Sequence, residues 1–63
     1  MELNNQNAFL EPGMRVTHPQ YPQWGVGQVQ SLMGHRVTVS FPETGKMVID
    51  GRTVILDIVY DSQ

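Results

Sequence analysis

"HPQYPQWGVGQV" (residues 18–29) places two prolines, two aromatic rings and a Gly-x-Gly within twelve positions. The reading of Gly25-Val26-Gly27 decides the fold. A phosphate-cradling loop needs a strand that ends in the glycines and a helix that begins after them, so that orphan N–H groups point at the anion. Here the residues after Gly27 run Gln28-Val29-Gln30-Ser31-Leu32, with no helical stripe. The glycines therefore open a strand.

Outward from that point the chain reads as short extended runs and tight turns. "EPG" (11–13) is turn chemistry, with Pro12 presetting its own φ and Gly13 tolerating the positive φ of a type II turn. Met14, Val16 and His18 then alternate with Arg15 and Thr17, which predicts a first strand. Pro19 and Pro22 cannot donate to a ladder, so pairing lapses across "PQYPQ" and a loop closes at Trp24. A nitrogen of His18, just before Pro19, is placed to satisfy a loop carbonyl. The second strand runs from Gly25 to about Leu32, with Gly25, Gly27 and Val29 on one face. A bulge near Gln30-Ser31 restores the alternation.

"MGH" (33–35) is a glycine turn that joins this run to "RVTVSF" (36–41), where Val37, Val39 and Phe41 face inward. "PETG" (42–45) leads to "KMVID" (46–50), with Met47 and Ile49 opposing Lys46, Val48 and Asp50. "GRT" (51–53) interrupts, with room for a helical turn between 51 and 56, and "VILDIVY" (54–60) predicts a last strand. No segment of 10 to 12 residues carries a helical stripe. The expected fold is all-β: a five-stranded, strongly bent antiparallel small barrel, because closure removes exposed edges. Glycines early in the second strand let neighbours pass close. The barrel is expected over 11–60, with a flexible tail at 1–10 anchored by Phe9 and Leu10, and a short tail at 61–63.

Composition narrows the chemistry. A chain of 63 residues buries only about 60% of the surface its unfolded form exposes. It has no cysteine and two distant histidines, His18 and His35, so neither a disulfide nor a zinc site is expected. Ser31, Ser40 and Ser62 have no local His-acid arrangement, and Asp50, Asp57 and Asp61 form no pair. The expectation is a non-enzyme without cofactor or metal. Four Lys/Arg against six Asp/Glu give a net charge of −2, which disfavours sequence-independent capture of nucleic acid. Arg15, Arg36, Lys46 and Arg52 are dispersed along the chain and read as a solvated surface. No apolar run approaches a membrane span and "MELNNQNAFLEPG" has no signal-peptide pattern, so a cytoplasmic protein is expected.

The aromatics carry more information. Trp24 reads as a lid over one open end of the barrel, or with Tyr21 as a rim hot spot for a partner; the two roles are compatible. An aromatic cage for a methylated cation needs three or four converging rings, and this loop supplies two.

"PGMRVTHP", "WGVGQV" and "RVTVSFPETGKMVI", taken in order, resemble the Tudor-like (Src-homology-3-like) small barrels of bacteria. The resemblance covers roughly residues 11 to 59. It rests on Pro12-Gly13, Val16, His18-Pro19, Gly25, Gly27, Val29, Val37, Val39 and Phe41 as structural positions. The pattern looks most like a family of short, stand-alone, uncharacterised bacterial proteins. It is similar also to the C-terminal Tudor domain of the UvrD and PcrA repair helicases, and more distantly to the RNA-polymerase-interacting domain of CarD-type regulators. The loop before Gly25 is longer than the helicase version, and "DGRTVILDIVY" lacks its closing pattern. These 63 residues carry no helicase motor motif, so no helicase role is expected to carry over.

The resemblance implies a docking module without catalytic activity. The leading expectation is a protein-interaction module that docks on RNA polymerase or a repair or transcription complex. Tyr21, Gln23 and Trp24 are its expected contacts, with Arg15 or Arg36 as charged rim partners. A nucleic-acid-binding barrel is the alternative, needing the four basic residues gathered beside Trp24. A self-assembling subunit that pairs through a strand edge or the apolar C-terminal run is a third.

Overall fold

The first described turn is built as its residues dictate. The computed structural model describes residues 10–60. The Met14 N–H donates to the Glu11 carbonyl at 3.1 Å across Pro12-Gly13, and Gly13 sits at φ +98°. That is the type II geometry in which only the third residue needs positive φ. The Gly13 N–H then donates to the Val29 carbonyl at 2.8 Å, which ties the turn to the middle of the sheet.

Five strands follow: β1 Arg15–Thr17, β2 Gly27–Met33, β3 Arg36–Phe41, β4 Gly45–Asp50 and β5 Asp57–Val59. They form one antiparallel sheet in the order β4-β3-β2-β1-β5. β2 pairs Val29 with Val39 and then Ser31 with Thr38, so Gln30 is the extra residue of a bulge. The bulge bends the strand and returns Leu32 to the inner face opposite Val37, as the broken alternation predicts. Gly34, at φ +60°, opens the two-residue turn between β2 and β3.

Val16, Val29, Val37, Val39, Phe41 and Leu56 are essentially fully buried. Leu10 and Ile49 complete the core, so Leu10 is an anchor; Phe9 and the remainder of the two expected tails lie outside the described residues.

Several expected boundaries are corrected. β2 begins at Gly27, because Gly25 occupies φ 83°, ψ −169°, a corner open essentially to glycine alone. His18 lies beyond the end of β1, in a turn closed by the Tyr21 N–H on the His18 carbonyl. The last strand spans only Asp57–Val59, because ahead of it Leu56 is buried in the core and Val54 packs against that core. The expected helical turn after Gly51 is present as a single turn, with the Thr53 and Val54 N–H groups both on the Asp50 carbonyl at 3.1 Å. A 3-10 helix at Pro22–Trp24 is an element the alternation did not predict. Among the described residues β4 and β5 are the two edges of the sheet, so the bent sheet does not close into a complete barrel.

Asp50 organises that turn. Its carboxylate accepts from the Arg52 Nε and Nη2, both at 3.3 Å, and from the Arg52 backbone N–H at 2.9 Å. The Arg52 guanidinium, then its N–H, holds the Asp50 carboxyl below the usual carboxylate range. A depressed folded-state pKa means the contribution is present at neutral pH and lost as pH falls through that pKa. Both groups are well exposed, so the effect on stability is small. In a carboxyl-resolved NMR titration, Arg52→Ala raises the Asp50 midpoint; an unmoved midpoint contradicts the pairing.

Gly27 is required for space. A Cβ there would lie 2.7 Å from both Val39 Cγ1 and Phe41 Cδ1. Gly27→Ala is expected to cost about 1–3 kcal/mol through overpacking. Denaturant unfolding checks this, and a variant as stable as the parent contradicts the close approach.

Candidate functional site

The proline-bearing loop folds itself into an aromatic pile. Three successive i to i+3 bonds run from Tyr21 to His18 (3.2 Å), Trp24 to Tyr21 (3.0 Å) and Gly25 to Pro22 (3.1 Å). Pro22 starts the 3-10 turn, where its missing N–H costs nothing. This coil places Tyr21 and Trp24 three residues apart on one side. Their rings stack at 4.6 Å and 9°.

His18 braces the pile from within. It is only 4% exposed, and its ring meets Tyr21 at 4.9 Å and Trp24 at 5.0 Å, edge to face in both cases. Its Nδ1 accepts from the Gln20 N–H at 3.1 Å. The expected polarity is thereby reversed, since the ring satisfies a loop donor and not a carbonyl. The neutral ring then carries its proton on Nε2. Beneath Trp24, Phe41 is met edge-on at 5.3 Å, so the pile rests on the core.

A stacked pair leaves no gap between its rings, so Tyr21 and Trp24 do not wall an aromatic cage. Trp24 is half-buried and packed on the core, whereas Tyr21 is 44% exposed. The outward aromatic surface belongs to Tyr21. Gln23 is exposed on the same 3-10 turn.

Beside the pile lies an open groove of about 350 Å³, lined by Arg15, Val26, Gly27, Gln28, Ser40, Phe41 and Pro42. Gly25 matters here too, because a Cβ on it would come within 3.1 Å of Pro42 Cγ. The groove's polar floor follows from register: Arg15 faces Gln28, and Gln28 faces Ser40. These three sit in one row across the sheet's outer face, a row that Lys46 continues beyond the groove. Sequence reasoning missed Val26, Gln28, Ser40 and Pro42; only cross-strand register brings them together.

The expected basic residues are divided. Arg15 is at the groove. Arg36 opens β3, five residues from Phe41, so it stands roughly 17 Å along the strand from the pile. Arg52 is bound to Asp50, and Lys46 lies three strands from Arg15. The four therefore do not gather beside Trp24. Among the described residues no group of three or more His, Cys, Asp or Glu is placed to hold a metal, and no helix is long and apolar enough to cross a membrane.

The two stacked rings are expected to differ sharply on truncation. Trp24→Ala removes a ring packed on a thin core and should cost about 3 kcal/mol. Tyr21→Ala removes the outer ring and should cost about 1 kcal/mol or less. Thermal melts of both variants check the order, and equal losses contradict it.

Comparison with curated proteins and with solved structures returns no match. A family model does match, over residues 10–59, the stretch that holds all five strands, the aromatic pile and the groove. The chain belongs to the family described as "Protein of unknown function (DUF3553)".

Proposed function

We propose that the chain is a non-enzymatic, cytoplasmic protein-interaction module whose contact surface is the Tyr21 face and the adjoining groove. The carrying observation is the pile itself: Tyr21 lies flat on Trp24, which stands on buried Phe41, so an exposed ring is held rigid. A rigid aromatic gains buried area on binding with little entropy left to lose, which is how interface anchors work. Phe41 belongs to both pile and groove, so the two surfaces adjoin. The groove offers apolar walls at Val26 and Pro42, amide and hydroxyl groups at Gln28 and Ser40, and the charge of Arg15. That mixture suits a protein segment.

The likeness of the barrel pattern to the Tudor domains of UvrD and PcrA and to the CarD polymerase-binding domain supports bacterial RNA polymerase, or a repair or transcription complex built on it, as the partner. The nucleic-acid alternative gains nothing from the dispersed cations. Titration of purified bacterial RNA polymerase with the chain tests the reading. The expected result is saturable binding that Tyr21→Ala weakens about tenfold or more with the melt nearly unchanged. No binding contradicts the partner, and binding indifferent to Tyr21→Ala contradicts the site.

A further inference from the structure

The outer edge of β4 has no neighbouring strand among the described residues, and its sequence is complementary to itself. Lys46, Val48 and Asp50 share the outer face, with Lys46, Val48 and the Asp50 carboxylate exposed, while Met47 and Ile49 face inward. Val48 at the centre is 65% exposed, so its side chain is open to a second strand. Edge lysines ordinarily repel a second strand. Here Asp50 stands four residues from Lys46 on the same face, so an antiparallel copy can answer the charge.

We propose that β4 is a self-pairing edge, with a second copy of this chain as its occupant. Antiparallel pairing about a two-fold axis at Val48 puts Lys46 opposite Asp50 of the other copy, twice by symmetry. It sets Val48 against Val48 and Met47 against Ile49. This is an isologous contact, in which one patch serves both subunits. It joins the two sheets into one through backbone hydrogen bonds.

Register supports the choice. A slip of one residue sets inner-face side chains against outer-face ones. A slip of two in one direction places Lys46 opposite Arg52, and in the other places Asp50 opposite Thr44 and leaves both charges unanswered. Asp50 already accepts from Arg52, but a carboxylate offers about four acceptor sites, so Lys46 of the second copy can join. A six-residue edge spans only about 20 Å, so the contact is small and association is weak and concentration-dependent.

Charge-swapped pairs test this on the full chain. Lys46→Glu and Asp50→Lys should each weaken self-association about tenfold or more in sedimentation, because both symmetry-related pairs turn repulsive. An equimolar mixture of the two variants restores complementary pairing and should recover a heterodimer. Val48→Cys supplies an independent reading, since opposite residues in an antiparallel pair lie about 4.5–5.5 Å apart at Cα. It should cross-link between copies under mild oxidation far faster than Ile55→Cys, an exposed control off the strand. A parent that stays monomeric at millimolar concentration, a mixture that does not recover, or equal cross-linking at both positions overturns the proposal.

Discussion

The fold turns on the space left empty at Gly27. Val39 and Phe41 reach into the volume a side chain there would occupy. Phe41 thereby settles into the core with an edge available to Trp24, and Trp24 in turn supports Tyr21. One missing methyl group thus connects a buried strand to an exposed ring. In a chain whose core supplies only about 3–5 kcal/mol of net stability, such contacts are a large share of the total.

The same constraint orders the loop. Gly25 turns the corner that only glycine makes readily, Pro22 starts the 3-10 turn, and buried His18 fills the space under the rings while taking the Gln20 N–H. Histidine suits that place because it offers both an aromatic edge and an acceptor. The result is a surface loop whose outermost ring is fixed by packing, a condition for recognition at low entropic cost.

Much of the fold was legible because its signals are local. Alternation in residues 36–41, the glycine turns and the misfit at Gln30-Ser31 each depend on neighbours within a few residues, and the sheet follows them. The last strand is shorter than its apolar run suggests, since such a run reads alike whether its residues lie in a strand or, like Leu56, are buried in the core ahead of one. The site was half legible. Two prolines and two rings announced an aromatic loop, but their stacking order depends on three consecutive turn bonds that composition does not reveal. Arg36 is the complementary case: its residue type fits a rim contact, yet strand direction carries it to the far end of β3.

Proton NMR of the unmodified chain tests the central claim most directly, through ring-current shifts and cross-relaxation at this pile. The structure predicts strong contacts between the Tyr21 and Trp24 rings and between the Phe41 ring and the Gly27 α-protons, with those protons displaced from their random-coil positions. Tyr21 and Trp24 resonances that average to random-coil values, with Gly27 unshifted, would contradict it.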